Sequence, residues 1–341
     1  MAGTVISNQL PPNIDITKAP LAYGQRALPK LNRELNGTDV LTKHRALMSL
    51  CDILHDPQNI SEALNVGIVL SLKKLLTSDD STIRHKTTEV LFIIASNASG
   101  RNAFLEYEII LPLSKLFNDT IYESRKNSHL AIEMLSHHIS GQQGIVEAGL
   151  IPVLVALLFE ETDDIKGIIL DTLHYCMRVN TSDALNNNGM NVFVRLLSHS
   201  SPVIRGKAAR DIMDLSFPLD GKNKAVEVGA IKSLVPLLHD SDADVRAKTA
   251  GAIMVITITT PGKYSAIEED ILPSLVLLLS DNSSEVRLNV LKALTTLAEA
   301  PKGREILVEN VEKVTKLIND YDSPAVRKAA QIAVKVITWK P

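Results

Sequence analysis

The chain has 341 residues, of which 45% are hydrophobic and only 4% aromatic, and its formal net charge is -3. That apolar share supplies a long core made mostly of Leu, Ile, Val and Ala, suited to closely stacked elements. The near-neutral, dispersed charge gives no general electrostatic attraction for nucleic acid, anionic membrane or the acidic tails of tubulin, and by itself does not decide direct tubulin contact.

Residues 1–20 are polar and contain Pro11, Pro12 and Pro20. Proline breaks helix and pushes the preceding residue to extended geometry, so this stretch reads as an extended N-terminal arm. It lacks the basic segment and apolar core of a secretory signal. No apolar run reaches the ~18 residues of a membrane span, so a soluble, intracellular chain is expected. From position 21 onward the apolar residues recur at helical spacing. Leu28, Leu31 and Leu35, then Ala46, Leu47, Leu50 and Ile53, form the first stripes.

The stretch from Gly229 to Glu269 displays the recurring pattern. It has a glycine, an apolar run ending in Leu237 and Leu238, and an acidic turn with Asp240, Asp242 and Asp244. Arg246 and an Ala-rich apolar helix follow, then a break at Pro261–Gly262 and a short amphipathic piece. The basic position recurs as Lys43, Arg84, Arg125, Lys166, Arg205, Arg246, Arg287 and Arg327, at spacings of 41, 41, 41, 39, 41, 41 and 40. Eight copies at a period near 40 are the signature of an armadillo or HEAT-type solenoid. The fold class is all-α, a right-handed superhelical solenoid of about eight three-helix repeats over 21–341. Repeats are placed near 27–66, 67–107, 108–148, 149–188, 189–228, 229–269, 270–309 and 310–341. Within each, one helix follows a Gly-basic pair (Gly100–Arg101, Gly221–Lys222, Gly262–Lys263, Gly303–Arg304), the second is the leucine-rich run, and the third begins at the basic marker. The fourth unit departs from this: TSDALNNNGM replaces the short amphipathic piece, and Asn186–Gly189 is a strong turn signal.

A cation at a helix N-terminus opposes the macrodipole, so each marker needs an offsetting partner. That partner is either the acidic turn before it, a neighbouring unit's loop, or an acidic binding partner. Third helices line the binding groove in armadillo proteins, where the peptide-binding members carry a ladder of Asn, with Trp four residues earlier. Here the Asn column reads Asp52, Ile93, Met134, Tyr175, Asp214, Val255, Thr296 and Val336. The Trp column reads Met48, Glu89, Leu130, Asp171, Arg210, Gly251, Lys292 and Ile332. An amide ladder holds an extended peptide through its donors and acceptors, and its absence disfavours import-receptor binding of basic peptides. The candidate partner-binding residues are therefore Arg84, Arg125, Arg205, Arg246, Arg287 and Arg327 of the marker column, with Tyr175 and Asp214 of the groove column. Cys51 and Cys176 read as buried free thiols. The nine His are scattered, His137 and His138 point about 100° apart on a helix, and no phosphate loop or calcium loop is present. No catalytic, cofactor-binding or metal-ligating constellation is read, and no small-molecule substrate or cofactor is expected.

Several segments are more specific. AYGQRALPKL (Ala22–Leu31), LMSLCDILHDP (Leu47–Pro57), KTTEVL (Lys86–Leu91), GRNAFLE (Gly100–Glu106), GKYSAIE (Gly262–Glu268), RLNVLKALTTLAEAPKGR (Arg287–Arg304) and the final KP resemble the armadillo-repeat radial spoke proteins of motile cilia, the radial spoke head 14 family. The match is weakest over about residues 110–200. The resemblance implies a non-catalytic structural subunit of the axonemal radial spoke, in the cytoskeleton of the cilium or flagellum. It further implies other radial spoke proteins as partners and no nucleic acid or membrane. The residues alone also accommodate a soluble adaptor of catenin or transport type that binds extended peptides in its groove.

Overall fold

A computed structural model of the chain describes residues 27–340. The expected arm, 1–20, and positions 21–26 lie outside the described residues. Every regular element among the described residues is an α-helix or a short 3-10 turn. The all-α expectation is met.

Eight long helices carry the basic markers: α1 (Val40–Ile53), α2 (Ser81–Ala95), α3 (Tyr122–Ser136), α4 (Asp163–Met177), α5 (Pro202–Leu215), α6 (Ala243–Ile256), α7 (Ser284–Ala298) and α8 (Pro324–Ile337). In all eight the marker is the fourth residue. The local sequence explains the starts. Asp39, Asp80 and Asp242 accept from the amides of Thr42, Ile83 and Asp244, each at 2.8 Å, satisfying donors that the first turn leaves unpaired. Pro202 and Pro324 occupy the first helical position, where a missing N–H costs nothing.

Two shorter helices run between consecutive long ones, for example Thr260–Glu268 and Leu272–Leu278 between α6 and α7. Of the seven described connections between two short helices, the last turns at Asn310 with φ of -108°, and in the other six the chain turns through one left-handed residue. Gly67, Gly149 and Gly229 fill that position with φ of 79°, 68° and 68°, and Glu108, Asn188 and Asp270 fill it elsewhere. In the irregular fourth unit the left-handed residue is Asn188, and Gly189 is already the first residue of the next helix. The helix before it, Ser182–Asn186, has five residues where Leu219–Glu227 and Thr260–Glu268 each have nine.

The fold divides into two compact units, one ending at Ala148 and the other beginning at Gly149. In the first, α1 stacks on α2 and α2 on α3. In the second, α4 to α8 stack in chain order, each on the next. The faces in contact are apolar and mostly small. Thus α6 buries Val245, Ala247, Ala250, Ala252, Ile253 and Ile256. Each fully buried Leu, Ile or Val contributes about 1.5–3 kcal/mol. Cys51 and Cys176 are buried free thiols, and burial pushes each up to about 12.

His129 of α3 is 1% exposed and stacks on Phe117 at 4.0 Å. Burial, aided by Arg125, pulls its pKa down to about 3. The unfolded chain protonates this imidazole near 6.5, whereas the folded chain refuses the proton until about pH 3. Stability is therefore present above the unfolded value and falls as pH drops through that window, by about 1.4 kcal/mol per pH unit. Urea midpoints measured from pH 7 to pH 4 are expected to fall more steeply for the wild type than for His129→Leu. Parallel profiles would refute this.

Candidate functional site

The marker arginines turn back on their own chain. Arg246 donates from Nη1 to the carbonyls of Asp240 and Ser241 in the turn before its helix, at 2.8 and 3.1 Å. Its Nε donates to Asp281 of the following repeat at 2.7 Å. The same arrangement recurs as Arg84 with Asp119, Arg205 with Asp240, and Arg287 with Asp320 and Asp322. Each acceptor also begins the next turn: Asp119, Asp240, Asp281 and Asp320 accept from the amide two residues on, those of Ile121, Asp242, Ser283 and Asp322. Arg125 and Arg327 bond the carbonyls of Asp119 and Asp320. The second unit thus contains an unbroken ladder, Arg205–Asp240–Arg246–Asp281–Arg287–Asp320–Arg327.

The carboxylates of Asp119, Asp240, Asp281 and Asp320 are only 2–7% exposed. At Asp119, Asp240 and Asp281 burial opposes ionisation, but the arginines and turn amides outweigh it. Asp119, Asp240 and Asp281 are held below the usual carboxylate range. Arg84, Arg205, Arg246 and Arg287 therefore act first as ties within the fold, taking both of the internal partners read from the sequence, the preceding turn and the neighbouring loop, while Arg125 and Arg327 bond the preceding turn.

The Gly-basic pair has a parallel role. Arg101, Lys222, Lys263 and Arg304 donate to the carbonyls of Ala95, Phe217, Ile258 and Ala298 where the preceding long helix ends. A cation there satisfies orphan acceptors and complements the helix dipole.

Two features remain on the long-helix face of the second unit. The first is polar and joins α4 to α5. His174 Nδ1 lies 2.5 Å from Asp214 Oδ2, and the Tyr175 ring is 4.9 Å from that of His174. Arg210 bridges Asp171 and Asp211, at 2.9 Å to each, and Lys207 reaches Asp171 Oδ2 at 2.5 Å. Asp211 is 0% exposed. Burial pushes its carboxyl well above the usual range, with Arg210 opposing and Asp214 adding to the rise. The structure thus brings together Tyr175 and Asp214, the two candidates from the groove column. Asp171 and Arg210, noted in the neighbouring column, belong to the same network. Sequence reading missed His174 and Asp211. The available signals were that His174 precedes Asp214 by one repeat period, 40 residues, and that Asp211 puts a carboxylate where other repeats have none.

The second feature is an apolar groove across α6, α7 and α8 with a volume of about 440 Å³. Met254, Ile258, Leu288 and Ile332 form its floor and walls, and Lys292 and Lys328 stand at its edge. Ile258 and Ile332 are 51% and 47% exposed. No single helix among the described residues is long and apolar enough to cross a membrane.

Comparison with known proteins matches this geometry. A HEAT repeat model matches residues 271–300, which include all of α7. An engineered protein solved by crystallography superposes with a TM-score of 0.85 at 26% identity, over 92% of this chain and 79% of its own. A designed armadillo repeat protein in complex with the peptide (KR)4 gives a TM-score of 0.61 at 21% identity, over 66% of this chain and 98% of its own, a likeness of fold. The periodic helices, the stacked long-helix face and these matches agree on the fold, an all-helical armadillo/HEAT-type repeat solenoid, with one HEAT repeat matched at residues 271–300.

Proposed function

We propose that the chain is a non-catalytic structural scaffold subunit of the axonemal radial spoke in motile cilia or flagella, of the radial spoke head 14 type. It holds other spoke proteins in place and supports control of ciliary beating. The observation that carries the scaffold part is the open apolar groove of α6–α8, in a frame whose marker arginines are tied to its own carboxylates. The ciliary part rests on the sequence segments from Ala22 to Arg304 quoted above.

The groove chemistry selects a partner class. Exposed Ile258 and Ile332 favour an apolar segment, and Lys292 and Lys328 favour carboxylates flanking it. The designed armadillo neighbour binds a basic peptide. This groove has no Asn ladder, is edged by lysine, and suits the opposite charge.

The test is fractionation of demembranated axonemes. The wild-type chain is expected in the salt-washed pellet, released only together with other spoke subunits. An Ile258→Glu/Ile332→Glu variant is expected to melt within ~1 kcal/mol of wild type, because both sites are half exposed, yet to appear in the supernatant. A wild-type chain found wholly in soluble cytosol would sink the axonemal reading and promote the peptide-binding adaptor. A variant retained like wild type would remove the groove from the contact.

A further inference from the structure

The long helices follow one register, and the position six residues beyond each marker is a core position. It reads Ser49, Val90, Ala131, Thr172, Asp211, Ala252, Ala293 and Ala333. All eight residues are at most 2% exposed. Seven are small or apolar, and Asp211 is the exception. A buried carboxylate at a site built for alanine is strongly disfavoured unless something binds it.

Its two oxygens differ. Oδ1 accepts from Arg210 Nε at 2.9 Å, and Arg210 is itself anchored by Asp171 and the Leu170 carbonyl. Oδ2 is fully buried and has no hydrogen-bond partner. One ligand atom each from His174, Asp211 and Asp214 lies within 4.8 Å of the others. Asp211 and Asp214 are three apart on α5, so they share a face, and α4 supplies His174 from the preceding repeat.

We propose that His174, Asp211 and Asp214 form a binding site for one divalent transition-metal ion of the zinc class, clamping α4 to α5. An imidazole nitrogen with two carboxylate oxygens suits zinc better than the all-oxygen shells of magnesium or calcium. Bonds of about 2.0–2.2 Å to a tetrahedral ion set its ligand atoms roughly 3.4 Å apart, so the His174–Asp214 contact of 2.5 Å must open as the ion enters. Arg210 and Asp171 stand behind Asp211 and fix which oxygen faces the ion, the usual task of groups behind a metal ligand. Lys207 completes that support through Asp171. His174 is partly exposed, which gives the ion a way in and leaves coordination positions for water or a donor from a bound partner.

The test uses the full chain, stripped with a chelator, and zinc chloride as the probe. Calorimetry is expected to find one equivalent bound, with affinity falling at least ~10-fold in His174→Gln and in Asp214→Asn. Asp211→Asn is expected to behave likewise, and Asp211→Ala places there the residue that four other repeats carry, so a folded comparison is available. Cobalt(II) added to wild type is expected to give the visible absorption of a mixed nitrogen–oxygen site, a readout independent of any variant. Zinc is also expected to raise the melting temperature of wild type but not of Asp211→Ala. Absence of the cobalt band, or zinc binding unchanged in all three single variants, overturns the proposal and leaves His174–Asp214 as an ion pair only.

Discussion

Replacing Arg205, Arg246 and Arg287 together with Ala is expected to lower unfolding stability by about 5–8 kcal/mol. Each substitution strands a carboxylate that is nearly inaccessible to water: Asp240, Asp281 and Asp320. Breaking a buried pair by removing one member costs about 3–5 kcal/mol. The guanidinium groups here are partly solvated, which places each loss near or below the lower end. The three losses share a chain of contacts and will not add simply. Urea denaturation followed by circular dichroism measures the effect. Unchanged unfolding with lost partner binding would instead make the column a docking surface for an acidic partner. The pH dependence supplies a second check. Asp240 and Asp281 have lowered folded values, so their contribution is complete above the unfolded value of about 3.9 and is lost as pH falls through the folded values. The stability gap between wild type and the triple variant is therefore expected to narrow below about pH 4.

Gly221→Ala is expected to destabilise by about 3 kcal/mol or more, although it adds a single methyl. A Cβ at this position would lie 1.7 Å from the carbonyl oxygen of Leu215 and 2.7 Å from its carbon. Both are backbone atoms at the end of α5, and no side chain can move aside to relieve the contact. Gly100, Gly141, Gly262 and Gly303 meet the same carbonyl six residues back, so this contact sets how closely each short helix follows its long one. Gly149 provides the contrast. A Cβ there meets nothing within 4 Å, but the residue has φ +68°, so Gly149→Ala carries only backbone strain of about 1–2 kcal/mol. Thermal unfolding should rank Gly221→Ala clearly below Gly149→Ala, and the reverse order would refute the close-approach argument.

The sequence by itself determined the periodic part of this protein. Markers 39–41 residues apart and leucine-rich runs ahead of them, repeated eight times, with Gly-basic pairs in four of the repeats, fix where helices begin and which faces are apolar, because these are local signals. Even the shortened piece around Asn186–Gly189 was visible, since its turn chemistry is local. The tertiary structure decided what the polar residues do. Arg246 reads identically whether it faces a partner or Asp281, because 35 residues separate donor from acceptor and only stacking brings them to 2.7 Å. Asp171, Arg210 and Asp214 occupy periodic positions that carry no sign of contact in sequence, and His174 and Asp211 belong to no motif. Their network forms because α4 and α5 pack side by side, so that residues one repeat apart in sequence become neighbours in space. The groove of α6–α8 has the same origin: Met254, Leu288 and Ile332 are ordinary apolar residues on three separate helices, and stacking alone makes them one surface.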